Sequence, residues 1–136
     1  LTLTLRPCQG GSPRWLGTAG ARLDDLLTWL PCRLVLITLP LVSMRWSQWP
    51  TTVRAAAADG RPDPSPNAGL SESIFAHCAD VQMGGPNRYD NTWINKPLLS
   101  AQSGKATDSG VRKLLNLGLR LESAWLVVAA GCFFLQ

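Results

Sequence analysis

The stretch RPDPSPNAGLSESIFAHCADVQMGGPNRY, residues 61–89, decides how the rest of the chain is read. Pro62, Pro64 and Pro66 fall within five residues of one another. Each fixes its own φ and pushes the residue before it out of the α region, so the entry is stiff and extended. A helix opens at Asn67, either with Asn67 as its cap or with Ser65 as the cap and Pro66 at the first helical position. Leu70, Ile74, Cys78 and Val81 recur at helical spacing and are expected to form the buried face. Gly84-Gly85-Pro86 is expected to stop this helix, with Asn87-Arg88-Tyr89 following in a loop. A short helix is thus held between two polar turns rich in glycine and proline, where binding and chemistry commonly sit.

Moving toward the N-terminus, residues 51–60 (TTVRAAAADG) read as a short helix closing at Gly60. Before it, a helix is plausible from Leu16 and strongly patterned from Arg22. Leu23, Leu26, Leu27 and Leu30 follow the i, i+3, i+4, i+7 rule of one apolar face. A second stripe of the same helix carries Arg22, Asp25, Trp29 and Arg33, and Pro31 is expected to kink it. The nineteen residues 26–44 contain one charge, Arg33. That run is long enough to cross a bilayer, irregularly because of Pro31 and Pro40; a buried helix of a soluble protein is the alternative. An arginine inside a crossing segment needs protein, water or an anion beside it. Residues 1–5 (LTLTL) alternate like a strand, and 6–13 read as a loop.

Toward the C-terminus, residues 91–100 read as irregular, with an extended turn at Lys96-Pro97, and 101–109 as a loop of small residues. Asp108 or Ser109 is expected to cap a long last helix. Its face Leu114, Leu117, Leu121, Trp125 and Val128 is apolar, beside a narrow polar stripe of Lys113, Asn116, Arg120 and Ser123. Residues 124–135 (AWLVVAAGCFFL) are wholly apolar and reach spanning length only with the turn before them. The expectation is a membrane-embedded end whose polar stripe faces the protein interior.

Composition supports this partition. With 136 residues there is room for one domain, 1–136. Apolar residues make up 46% and mean hydropathy is +0.04, but the apolar residues gather near both ends. Among the six tryptophans, Trp29, Trp46, Trp49 and Trp125 flank the apolar runs, as at a membrane interface. The net charge of +4 is spread along the chain without a basic cluster, which argues against a nucleic-acid partner. Cys8, Cys32, Cys78 and Cys132 lack CxxC spacing and read as reduced, buried thiols rather than a zinc site or disulfide framework. There is no Walker-type GxxxxGK[ST], no nucleophile triad, and a single histidine, His77, which reads as structural. The fold class expected is all-α: a helical membrane protein fragment, two apolar helical segments flanking a polar Pro/Gly-rich loop region with one short helix.

RLDDLLTWLPCRL at 22–34, DPSPNAGLSES at 63–73 and MGGPNRY at 83–89 together resemble the C-terminal part of the adenosylcobinamide-phosphate synthases, the CobD/CbiB family of cobalamin biosynthesis. The resemblance covers residues 16–135; residues 1–15 do not match, and Cys32 stands where the family has alanine. It implies a multi-pass protein of the cell membrane, here represented by its C-terminal part, with the missing N-terminal half as a partner. It also implies a reaction: ATP-dependent amide formation between adenosylcobyric acid, a corrinoid substrate, and aminopropanol or its phosphate. Under that reading Arg22, Asp24, Asp25 and Arg33 are the catalytic candidates, with Asp24 and Asp25 as ligands of Mg²⁺ and the arginines on phosphate or carboxylate. Ser65, Asn67, Gly69, Gly84, Gly85, Arg88 and Tyr89 are the candidates for substrate binding, through a helix N-terminus and close backbone approach. The abundance of basic residues in the central stretch points that stretch toward the cytoplasm. Two other readings remain open: a noncatalytic membrane fragment that only binds the corrinoid or a partner subunit, and a soluble helical binding module. Residue by residue, Arg22 with Asp25 is equally an i, i+3 ion pair, and Ser65 and Asn67 are equally plain caps.

Overall fold

The computed structural model describes residues 14–89 and 92–135, so the strand-like segment 1–5 and the loop 6–13 lie outside it. Its elements in order are α1 (Arg14–Val42), a 3₁₀ turn (Trp46–Gln48), α2 (Trp49–Gly60), α3 (Pro66–Ala79), β1 (Met83–Tyr89), β2 (Thr92–Leu99) and α4 (Asp108–Phe134). The chain is mostly helical, but the expectation of an all-α fold is corrected by the β1–β2 hairpin. Two segments expected to be loop form it.

Helix α1 runs unbroken through Pro31 and Pro40. Two threonines on this apolar helix return their hydroxyls to its own backbone: Thr28 donates to Asp24 O at 2.7 Å and Thr38 to Leu34 O at 2.6 Å. After Val42 the chain reverses at Met44, whose φ is positive, and the Trp49 indole donates back to Ile37 O at 2.8 Å. That bond lays α2 beside the helix the chain has just left.

α2 and α3 approach closely because glycines face each other. A Cβ on Gly60 would lie 2.5 Å from the Gly69 carbonyl oxygen, and one on Gly69 would lie 2.5 Å from the Asp63 Cβ. Below this contact the core gathers Leu39 of α1, Ala56 of α2, Ile74, Cys78 and Ala79 of α3, Val81, and Leu117 and Leu121 of α4. Ile74, Cys78 and Val81 are buried as their spacing predicts, and Leu70 is half-buried. Burial pushes the Cys78 thiol above its ordinary range. Cys132, expected to be buried, is exposed near the end of α4.

Helix α3 ends at Ala79, before the glycines expected to stop it. Asp80 takes the left-handed conformation at φ 58° and closes the helix itself. Its Oδ2 accepts from the Arg45 guanidinium and from Lys113 Nζ at 2.8 Å, joining the ends of α1 and α3 to the start of α4. Desolvation works against the Asp80 charge, but the Lys113 hydrogen bond and the positive charge of Arg45 outweigh it and hold the acid below its ordinary range.

Gly84 and Gly85, at φ 79° and 84°, make a bulge within β1. The antiparallel register runs from Met83 opposite Leu99 to Tyr89 opposite Thr92. The hairpin is pinned at its far end. Asp59 Oδ2 accepts the Ser100 backbone N–H at 3.1 Å and contacts His77 Nε2 at 2.8 Å, and Lys96 Nζ lies 3.5 Å from the buried Asp63 and 3.6 Å from Glu72. The lone histidine is therefore buried in a hydrogen bond that ties α3 to α2.

Thr107, not Asp108 or Ser109, caps α4, its Oγ1 accepting the Gly110 N–H at 3.2 Å. Leu117 and Leu121 face the core, and the Trp125 indole donates to Thr38 Oγ1 at 3.3 Å. The polar stripe does not face inward as expected. Lys113 reaches Asp80, but Asn116, Arg120 and Ser123 are exposed. Outward too point Leu23, Leu26, Leu27 and Leu30 of α1 and Leu126, Val127, Val128 and Phe133 of α4. Two helical stretches, Arg22–Val42 and Asp108–Phe134, are long and apolar enough to cross a membrane, with mean hydropathies of 1.6 and 1.5.

The α2–α3 contact yields a first test. Gly60→Ala forces a methyl into a backbone carbonyl and is expected to destabilise the fold by about 1–3 kcal/mol, the usual cost of overpacking. Thermal unfolding in detergent measures it, with Gly118→Ala inside α4, where nothing lies within 4 Å, as the control expected to be unchanged or slightly more stable.

Candidate functional site

An open groove of about 410 Å³ lies where the start of α3 meets the N-terminal half of α1. Arg22, Asp25, Leu26, Trp29, Arg33 and Asn67 line it. The first five come from α1. Arg22, Asp25, Trp29 and Arg33 share one side because spacings of three, four and four residues return the side chain to the same face, and Leu26 sits beside Asp25 at the edge of that face. Asn67 is brought there by the turn before α3. The Asp63 carboxylate accepts the Ser65 backbone N–H at 2.8 Å, Ser65 takes the N-cap position, and Pro66 occupies the first helical position. Of the two capping arrangements open in the sequence, the structure has Ser65 at the cap and Asn67 inside the helix; the Ser65 side chain makes no capping bond.

Asn67 is 6% exposed and its amide is fully engaged. Nδ2 donates to Asp25 O at 2.8 Å and to Thr28 Oγ1 at 3.1 Å, while Oδ1 accepts from Arg33 Nη1 at 3.1 Å. The same Nη1 donates to Trp29 O at 2.9 Å, and the guanidinium carbon sits 4.1 Å from the centre of the Trp29 ring. Such a stack holds a cation by the ring quadrupole. Among the described residues no carboxylate lies within ion-pairing distance of Arg33 or Arg22, so the i, i+3 pair of Arg22 with Asp25 is not formed. Two guanidinium groups and one carboxylate thus share an open groove without neutralising one another.

Four residues singled out in the sequence, Arg22, Asp25, Arg33 and Asn67, converge here. The others do not line the groove. Asp24 is exposed on another side of α1, since consecutive helical residues point about 100° apart. Gly69 is buried against Gly60 and Asp63, a packing position. Gly84 and Gly85 shape the β1 bulge, Arg88 is exposed on β1, and Tyr89 closes that strand. Sequence reasoning missed Thr28, which anchors the Asn67 amide, and Asp63, whose carboxylate sets the turn. Both had a legible signal: a hydroxyl on the Asp25–Trp29 side of α1, and an Asp before Pro-Ser.

The donor set limits what metal the groove fits. Among the described residues no three His, Cys, Asp or Glu side chains gather, and Asp24 and Asp25 do not converge. Mg²⁺ fits only as an ion held by Asp25, waters and phosphate oxygens of a ligand, a mode that this cation often uses.

The chain belongs to the CobD/Cbib protein family, whose model matches residues 11–118. Among curated relatives, it is 48% identical over 84 residues to a cobalamin biosynthesis protein CobD of Synechocystis, covering 62% of this chain and 24% of that one. It is 42% identical over 106 residues to the protein of the same name from Mycobacterium tuberculosis H37Rv, covering 71% and 32%. It is 34% identical over 124 residues to the cobalamin biosynthesis protein CbiB of Salmonella paratyphi A, covering 88% and 38%. The chain therefore spans between a quarter and two fifths of the length of these relatives. No solved structure matches it.

Arg33 is the groove's most constrained cation, and its removal is the direct test of the site. A charge-assisted hydrogen bond is worth about 1.5–3 kcal/mol, so Arg33→Ala in a full-length relative carrying this segment should lower activity by about tenfold or more. Arg54→Ala, on the exposed face of α2, should leave it unchanged. Cobalamin-dependent growth of a complemented mutant reads both; equal growth would remove Arg33 from the site.

Proposed function

We propose that this chain is the C-terminal part of an adenosylcobinamide-phosphate synthase, a C–N ligase that joins adenosylcobyric acid to aminopropanol or its phosphate. The observation that carries the proposal is the groove at the α1–α3 junction, where Arg33 is oriented by Asn67 and Trp29 and has no carboxylate partner among the described residues. Both substrates offer what it would take: a carboxylate on the corrinoid, and a phosphate on the amine or on ATP. Arginine's planar fork suits either oxyanion in bidentate fashion. Amide formation from a free carboxylate is uphill in water; ATP would supply the driving force when bound, and Asp25 would be the residue to hold a Mg²⁺ that offsets phosphate charge. Arg22, about three turns from Arg33 on the same face, adds a second positive charge for a ligand carrying several.

The protein is proposed to sit in the cell membrane as a multi-pass protein, with the two apolar helices crossing and the groove open to the cytoplasm, the side that holds ATP. Support comes from the outward-facing leucines and valines of α1 and α4, which no packing among the described residues covers. The chain should pellet with membranes, resist a high-salt wash and be released by detergent. Recovery in the salt-washed soluble fraction would defeat the membrane reading.

A second reading has its own support in the partial span of the relatives' length: this chain alone binds a corrinoid or a partner subunit without turning over. Catalytic groups must be held within fractions of an ångström, and a misplacement of ~1 Å can cost about a hundredfold. An open groove formed by α1 and the start of α3 is not such a site. The purified chain is therefore expected to show no ATP-dependent conversion of adenosylcobyric acid and aminopropanol phosphate. Co-expression with the remaining portion of a relative should restore conversion, as separately made parts of a helical membrane protein can associate through packed faces. Product formation by the chain alone, followed by chromatography of the corrinoid, would overturn the need for a second part.

A further inference from the structure

We propose that Asn67 is a positioning residue that touches no ligand: it fixes Arg33 so that the Nε–Nη2 edge of the guanidinium takes one oxyanion side-on. The proposal rests on the reading of the groove as an anion site and assigns the division of labour within it.

A neutral amide has two N–H donors and one carbonyl acceptor. Both donors of Asn67 are spent, on Asp25 O and Thr28 Oγ1, and the carbonyl is spent on Arg33. Only one orientation of the amide satisfies all three, because the Asp25 carbonyl can only accept and the guanidinium can only donate. Thr28 fixes that orientation further: its own proton goes to Asp24 O, leaving a lone pair for Nδ2. An incoming phosphate would find no unspent donor on the Asn67 side chain.

Arginine carries five N–H groups, of which two are on Nη1. The Nη1 pair is committed to Trp29 O and Asn67 Oδ1, and the Trp29 ring covers one face of the group. Nε and Nη2 make no hydrogen bond to a described residue. They form the parallel pair that receives two oxygens of a phosphate or carboxylate at once. Rotation about the terminal torsions would spoil this, and Asn67 is the group from a second element that prevents it. The bond thereby turns a flexible side chain into a fixed fork.

The test is a double-mutant cycle on binding of inorganic phosphate to the 136-residue chain in detergent, measured by calorimetry. Asn67→Ala is expected to weaken binding about tenfold when Arg33 is present and less than about twofold in the Arg33→Ala background, since coupled neighbours are not additive. Additive losses would mean that Asn67 meets the ligand itself and would overturn the proposal. Thr28→Val decides the matter if Arg33→Ala leaves no measurable binding. It removes one anchor of the amide while freeing a donor, so positioning predicts about threefold weaker binding; unchanged or tighter binding would point to direct contact and sink the idea. Thermal unfolding of each variant separates these effects from loss of fold. Absence of saturable phosphate binding by the unmodified chain would overturn the proposal outright. Phosphate binding with the expected coupling, but no corrinoid amide from the co-expressed assembly, would sink the proposed reaction and leave the role of Asn67 standing.

Discussion

One buried amide joins the two halves of this structure. The Asn67 side chain reaches from the first turn of α3 to three points on α1, so the Pro-rich turn and the long apolar helix cannot move independently. A buried amide left unpaired costs about 1–3 kcal/mol, which makes the bonds mutually dependent: α1 must present Asp25, Thr28 and Arg33 together, or Asn67 has no reason to be buried. Everything packed behind α3 inherits that constraint. The Gly60–Gly69 approach sets the distance of α2, and α2 in turn holds Asp59, on which the end of the hairpin rests.

Much of this could be read from residue order, and the failures have physical causes. The stripe Arg22, Asp25, Trp29 and Arg33 was legible because helical periodicity alone puts those residues on one face, and four of the expected site residues do meet there. The start of α3 was legible from Ser-Pro-Asn. The hairpin was not. Gly84-Gly85-Pro86 carries the signals of a chain break, and the same residues serve a bulge when glycine takes positive φ inside a strand. Residues 92–99 lack a clean alternation because most of that strand is exposed, so no buried face imposes one. Contacts across long separations, such as Lys96 with Asp63, or Asp59 with Ser100, leave no local signature at all. The polar stripe of α4 was misplaced for a related reason: periodicity tells which residues share a face, not which face meets the core.

Membership of the CobD/Cbib family agrees with this picture without extending it to a reaction. The matched region takes in α1, the Pro-rich turn, α3 and the hairpin, so the groove lies inside what is shared. The exposed apolar rows of α1 and α4 are a separate matter. The two helices that carry them are long and apolar enough to cross a membrane by length and composition.

The course of α3 has a consequence for depth. Its first turn meets α1 at residues 25–33 and the Asp80 cap at its end meets Arg45, just past α1, so α3 runs parallel to α1 for about 20 Å at 1.5 Å per residue. At 12 and 14 residues, α2 and α3 are each too short to cross a hydrocarbon core about 30 Å thick. With α1 across a bilayer, the pair becomes a re-entrant hairpin that enters and leaves on one side, carrying the Asp63–Asn67 turn down to the level of Arg33. Irregular polar backbone at that depth is tolerated only when sheltered by protein or facing a water-filled recess. The groove would then be the floor of a hydrated vestibule sunk into the membrane, and a charged solute would reach it without ever meeting lipid.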